Sequence, residues 1–115
     1  MSALETFEKM LAQGRDGAML RLSLGNEYHK AGRLEEAIVQ LRAALEFDPR
    51  YSAAWKQLGK CLAESGRTTE ALEVYRQGMA AAEDKGDIQA VKEMRVFARR
   101  LEKQVRPAEG TGGAG

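Results

Sequence analysis

Apolar residues recur every three or four positions through most of the chain, which is the spacing of one face of an α-helix. Leu4, Phe7 and Leu11 form the first such stripe. Runs of β-branched residues, which favour strands, are absent, and the two prolines are Pro49 and Pro107. The pattern therefore predicts an all-α chain of about six helices joined by short turns.

Capping and breaking residues bound the predicted helices. The first begins after Ser2, which forms a capping-box pattern with Glu5, and it ends at Gly14. The third ends before Pro49, because the residue that precedes a proline avoids the α region. The other predicted helices cover approximately residues 18–31, 34–47, 52–65, 68–85 and 87–105.

A period of 34 residues runs through the helical pattern. The pair Leu24-Gly25 recurs one period later as Leu58-Gly59, and Ala37 recurs as Ala71. One period before Ala37 lies Ala3. A fixed period of this size indicates stacked units, each of which buries its apolar face only against its neighbours.

Two glycines of the repeat lie inside predicted helices. Gly25 and Gly59 each cost about 1 kcal/mol relative to alanine at a helix interior. We interpret them as points where a neighbouring helix approaches too closely for a Cβ. Ala37 and Ala71 supply small side chains for the same crossing from the opposite helix.

The repeated residues resemble a known family. The pattern Trp55-x-x-Leu58-Gly59-x-x-Leu62, followed by Ala71-x-x-x-Tyr75, resembles the tetratricopeptide repeat. Leu24-Gly25-x-x-Tyr28, followed by Ala37-x-x-x-Leu41 and Pro49, resembles it too. The sequence departs from this pattern at three repeat positions. Arg21 stands at the position of Trp55 in the other repeat, Leu62 at the position of Tyr28, and Glu83 at the position of Pro49. The last departure suggests a more continuous junction into the sixth helix.

The resemblance implies a right-handed α-solenoid of antiparallel helix pairs, each made of an A helix and a B helix. The order of helices is B-A-B-A-B-A. Residues 1–17 form a half-repeat, residues 18–51 and 52–85 form two repeats, and residues 86–106 form a capping helix. Residues 107–115 are Gly-rich and are predicted to be a disordered tail.

In this family the A helices line a concave groove that binds peptides or other proteins. The resemblance places nine residues in that groove: Leu22, Asn26, His29, Lys30, Lys56, Gln57, Lys60, Met94 and Phe97. Asn26, Lys56 and Lys60 are the predicted anchors for a peptide backbone or carboxylate. The alternatives are that the two lysines are solvated and that Met94 and Phe97 belong to the core of the cap.

One subclass of the family clamps the carboxyl termini of chaperones, and that ligand is not expected here. Leu22 stands where this subclass has a lysine, and Gln57 stands where it has an asparagine.

Composition argues against catalysis and against a resident cofactor or metal. His29 is the only histidine and Cys61 the only cysteine, so neither a catalytic set nor a zinc pattern is present. The N-terminus has no secretory pattern and no apolar stretch reaches membrane-spanning length, so a cytoplasmic location is expected. The net charge of +1 does not favour a nucleic-acid partner.

The leading prediction is a non-enzymatic adaptor that binds another protein or peptide in the groove. The first alternative is self-association, or a role as a structural subunit, through the end of the solenoid near Phe7, Met10 and Leu11. The second, weaker alternative is binding of RNA or an acidic partner by a basic cluster in the last helix. That cluster comprises Arg95, Arg99, Arg100, Lys103 and Arg106.

Overall fold

The computed structural model describes the backbone of residues 1–114 and the side chains of residues 1–105. This part of the chain contains six helices and no strand. Their bounds are α1 Ala3–Ala12, α2 Ala18–Lys30, α3 Leu34–Phe47, α4 Ser52–Glu64, α5 Thr68–Lys85 and α6 Ile88–Ala114. The predicted all-α solenoid of helix pairs is confirmed.

Local signals set the helix ends. The capping box of α1 forms, with the Glu5 amide donating to the Ser2 hydroxyl at 3.1 Å. Gly32 ends the turn after α2 with a φ of +75°, where glycine carries no steric penalty. The Arg33 amide then donates back to the Tyr28 carbonyl at 2.9 Å, which closes the helix in a Schellman motif.

The six helices stack along one direction, in an envelope of 57 × 31 × 18 Å. Each helix packs against the next, and α2 contacts α4 as α4 contacts α6. The A helices therefore lie side by side on one surface. A continuous core runs between the two layers, and its largest fully buried side chains are Tyr75, Leu24, Leu41, Leu58, Leu62, Met94 and Cys61.

The two repeat glycines, Gly25 and Gly59, lie at close crossings, as the sequence predicted. A Cβ on Gly25 would lie 2.6 Å from Cγ of Leu41 in α3. A Cβ on Gly59 would overlap the ring of Tyr75 in α5. Leu41 and Tyr75 are one period apart, so both helix pairs use the same crossing with a different bulky residue.

The junctions from α3 to α4 and from α5 to α6 differ where the repeat pattern breaks. Helix α3 has 14 residues and ends before Pro49, whereas α5 has 18 residues and continues past Glu83. Gly86, with a φ of +83°, then separates α5 from α6. The junction is thus displaced along the chain rather than made continuous.

The last helix also extends further than its predicted end at residue 105. Its backbone is helical to Ala114. Side chains from residue 106 onward lie outside the described residues. The predicted disorder of residues 107–115 and the contribution of Arg106 to the basic cluster therefore stay predictions.

Candidate functional site

The surface formed by α2, α4 and α6 brings most of the predicted groove residues together. The packing of α2 on α4 opens a cleft of about 380 Å³ between them. Asn26, His29 and Lys30 come from α2 and Gln57 comes from α4. Phe7 of α1 closes one side, so the cleft combines polar walls with one aromatic contact. We call it the concave cleft.

Hydrogen bonds already fix part of this cleft. Nε2 of Gln57 lies 3.1 Å from Nδ1 of His29, and Nε2 of His29 lies 2.9 Å from a carboxylate oxygen of Glu64. If the Gln57 amide donates to Nδ1, the ring carries its proton on Nε2 and donates to Glu64. These three side chains join α2 to α4, and Glu64 is a member of the site that is not among the nine predicted groove residues.

The three predicted anchors differ in how free they are. Lys56 forms an ion pair with Glu93 of α6 at 3.2 Å, a partner that sequence reasoning missed. The ammonium group of Lys60 lies 5.6 Å from the ring centre of Phe97, within the range of a cation–π contact. Asn26 makes no side-chain hydrogen bond to a described residue, so its amide can meet a ligand.

Three apolar residues of the predicted groove are buried or partly covered. The prediction that Met94 lines the groove is wrong, because its side chain is fully buried next to Gly78. The apolar stripe of α6 faces α5, and Met94 lies in its centre. Phe97 is half-buried, with its ring centre 5.9 Å from that of Tyr75, and Leu22 is half-buried against the core.

The site offers little that could carry out catalysis. Cys61 is buried in the core, and burial raises the pKa of its thiol to about 11, so it stays protonated. Within the described residues, no three His, Cys, Asp or Glu side chains lie close enough together to hold a metal ion. No described helix is both long and apolar enough to cross a membrane.

A second, more apolar cleft of about 470 Å³ lies where α1 meets α2. Phe7, Met10 and Leu20 form its walls, and Met19 beside them is 74% exposed. A hydrogen bond of 2.6 Å from the Tyr28 hydroxyl to Glu8 holds the two helices together. That bond raises the pKa of Tyr28 to about 12.

Comparison with protein-family models gives two matches, both described as tetratricopeptide repeat. One covers residues 28–94 and the other covers residues 1–51. The chain belongs to the tetratricopeptide repeat family. Members of this family are protein-interaction modules, so the coarse function is protein–protein interaction.

Similar proteins agree with this assignment. A TPR repeat-containing protein of Pseudomonas aeruginosa is 47% identical over 87% of this chain and 95% of its own length. The solution structure of a Bordetella parapertussis protein is 46% identical, with a TM-score of 0.81 over 90% of each chain. A tetratricopeptide domain of yeast Sti1, solved in complex with pHsp70, has a TM-score of 0.82. It covers 89% of this chain and 82% of that domain at 17% identity, so this likeness shows the fold alone.

Proposed function

We propose that this protein is a non-enzymatic adaptor that holds a peptide segment of a partner protein in the concave cleft. The observation that carries the proposal is the Asn26 amide, which lies in the cleft with no internal hydrogen-bond partner among the described residues. A carboxamide offers both a donor and an acceptor, which suits the N–H and C=O groups of a bound backbone.

Charge and packing define the class of peptide. Lys60 lies further along α4 without an ion-pair partner among the described residues, whereas Lys30, exposed at one end of the cleft, pairs with Glu27 at 3.1 Å. Lys56 contributes less, because Glu93 already neutralises it. Phe7 of α1 offers an apolar contact at the side of the cleft. A segment with a carboxylate and one apolar side chain fits this arrangement.

The test starts from a peptide selected by display against the full chain and then titrated into ¹⁵N-labelled protein. We expect amide shifts in α2 and α4, centred on Asn26 and Gln57. Asn26→Ala should weaken binding about tenfold, which corresponds to the loss of one or two hydrogen bonds. Shifts confined to α3 and α5 would contradict the assignment of the groove.

A matched control is Gln89→Ala, which removes a carboxamide from an exposed position on α6 outside the cleft. Binding should stay within twofold of the wild type. Equal losses for Asn26→Ala and Gln89→Ala would show that the selected peptide does not use the concave cleft.

The apolar cleft between α1 and α2 supports a second candidate function, self-association. Met19 is strongly exposed beside Phe7 and Met10, and large exposed apolar side chains favour burial against another surface. Light scattering over a concentration series distinguishes the two functions. If the wild type and the Met19→Gln variant both remain monomeric at several hundred micromolar, self-association at this surface is ruled out.

A further inference from the structure

The basic residues of α6 differ from those in the rest of the solenoid. Eight of the ten lysines and arginines in residues 18–87 form ion pairs: Arg21, Lys30, Arg33, Arg42, Arg50, Lys56, Arg67 and Arg76. None of the five in residues 88–105 is paired with a described residue: Lys92, Arg95, Arg99, Arg100 and Lys103.

The unpaired charges of α6 are also arranged unfavourably along the helix. Arg95, Arg99 and Lys103 follow one another at intervals of four residues, so they are neighbours on one face. Like charges at this spacing destabilise a helix slightly. An anionic ligand would relieve this repulsion.

Two of these arginines flank a cleft of about 250 Å³ between α5 and α6. Arg95, Arg99 and one acid, Glu102, lie on its α6 side, and Arg76, which pairs with Glu73, lies on its α5 side. Leu72 and Met79 of α5 give it an apolar wall. The cleft is separate from the concave cleft, because none of its lining residues belongs to α2 or α4. We call it the arginine cleft.

The repeat shows which residue meets the equivalent arginine inside the molecule. Leu72 and Arg76 lie one period after Ile38 and Arg42 of α3. Ile38 is 3% exposed, and a guanidinium nitrogen of Arg42 lies 3.2 Å from Glu70 in the first turn of α5. Leu72 is only half-buried, and no described helix lies over it. The helix that meets Arg42 inside the molecule thus carries an acid in its first turn.

We infer that the arginine cleft docks an amphipathic helix of a partner protein whose first turn carries acidic residues. The acid at the repeat position of Glu70 meets Arg76, further carboxylates bind Arg95 and Arg99, and the apolar face of the helix packs on Leu72 and Met79. Charge-assisted bonds from arginine to carboxylate supply the specificity of the contact. The protein then has two binding surfaces, one on the A helices and one between α5 and α6.

Other occupants fit this cleft less well. RNA-binding surfaces stack bases on aromatic side chains, and the arginine cleft has apolar aliphatic walls instead. A second copy of the chain would have to present α1, the remaining B helix. Ser2 occupies in α1 the repeat position that Glu70 has in α5, and the one acid in the first turn of α1, Glu5, is already hydrogen-bonded to Ser2 in the capping box.

The probe for this inference is an acetylated peptide that copies residues 33–47, a B helix with Glu35 and Glu36 in its first turn. A peptide of this length is only partly helical in water, so binding is weak and amide shifts of the ¹⁵N-labelled full chain are the suitable measurement. We expect shifts at Leu72, Met79 and Ala98. The same peptide with Glu35→Lys and Glu36→Lys should give no saturable shifts.

Two neighbouring residues provide a matched pair of protein variants. Arg99 lines the arginine cleft, whereas Arg100 lies beside Lys60 and Phe97 on the other side of α6. We expect Arg99→Glu to weaken peptide binding about tenfold and Arg100→Glu to change it less than twofold. Both variants make the same change in net charge, and both residues are exposed, so folding should be retained.

Three results would overturn the inference. Equal losses for the two variants would show attraction by net charge alone. Peptide shifts restricted to α2 and α4 would assign the probe to the concave cleft. Stronger shifts of Leu72 and Ala98 with oligouridine than with the peptide, or with rising protein concentration alone, would assign the cleft to RNA or to a second copy.

Discussion

Helix α1 and helix α3 occupy equivalent positions in the repeat and differ sharply in burial. Phe7 and Leu41 are one period apart. Leu41 is fully buried, whereas Phe7 is half-buried and α1 contains no fully buried residue. Helix α3 packs between α2 and α4, but α1 packs against α2 alone within the described residues. The number of helical neighbours, more than the identity of the side chain, therefore decides how much a repeat position contributes to stability.

The largest expected effect is the difference between truncating these two residues. Leu41→Ala should lower the free energy of unfolding by about 3 kcal/mol, because a fully buried side chain is lost and a cavity remains. Phe7→Ala should cost about 1 kcal/mol, since much of its ring is already in contact with water. Urea denaturation of both variants measures the two values. Equal costs would refute the idea that neighbours set the contribution.

A second expected difference is between the costs of replacing the two repeat glycines, Gly25 and Gly59, by alanine. Gly59→Ala should cost about 2 kcal/mol, because the new methyl group overlaps the rigid ring of Tyr75. Gly25→Ala should cost less, because the flexible end of Leu41 can move aside.

Thermal unfolding of the two glycine variants under identical conditions makes the comparison. Alanine favours the helix by about 1 kcal/mol over glycine in both cases, so this contribution cancels. A larger loss for Gly25→Ala would mean that α3 is held more rigidly than α5.

The attachment of α1 provides a third test. Tyr28→Phe removes the hydrogen bond to Glu8 and should cost about 1 kcal/mol. The loss should be local, so hydrogen exchange of the α1 amides should accelerate while exchange in α4 stays unchanged. Uniform acceleration throughout the chain would indicate that α1 unfolds together with the rest.

The same hydrogen bond predicts that the stability of the fold depends on pH. The change in the free energy of unfolding is at most the contribution of the bond itself. The folded state raises the pKa of Tyr28 to about 12, above its ordinary value of 10, through the bond to Glu8 and burial. The folded protein therefore holds this proton more tightly than the unfolded chain. The stabilisation is complete below pH 10 and is lost as the pH rises toward 12. Denaturation midpoints across this range should fall more steeply for the wild type than for Tyr28→Phe.

The smallest expected effect concerns α6. Arg99→Glu should raise stability by at most about 0.5 kcal/mol, because the gain of attraction to Arg95 and Lys103 exceeds the new repulsion from Glu102. Glu70→Arg, which reverses an acid paired with Arg67 and Arg42, should lower stability instead. Calorimetric melting of both variants at low salt gives the comparison. Destabilisation by Arg99→Glu would show that the basic stripe is satisfied in the folded chain.

Most of the fold could be predicted from the 34-residue period. It predicted the bounds of α3 and the close crossings at Gly25 and Gly59, because these depend on local breakers and on small residues at fixed spacing. The bounds of α5 were predicted as well, because Gly86 stops the helix after residue 85. The missing proline at Glu83 signalled a changed junction, but it wrongly suggested a more continuous one.

The candidate site was harder to predict than the fold. Its residues were placed on the correct helices, yet their partners lie 28 to 37 positions away, as with His29 and Glu64 or Lys56 and Glu93. Such pairs depend on the crossing of two A helices, which repeat spacing describes only approximately. Met94 was misplaced for the same reason, because rotation of α6 turns its apolar stripe towards α5.

Cys61 lies at the centre of this stack with no exposed surface, and burial raises its pKa to about 11. A thiol reagent can reach it only when α4 separates from its neighbours. The rate of labelling would therefore report how often the middle of the solenoid opens, without any engineered probe. Because it is the only cysteine, each modification event records the same opening. The labelling rate of Cys61 in the native chain thus measures the opening motion that a ligand on either surface would slow.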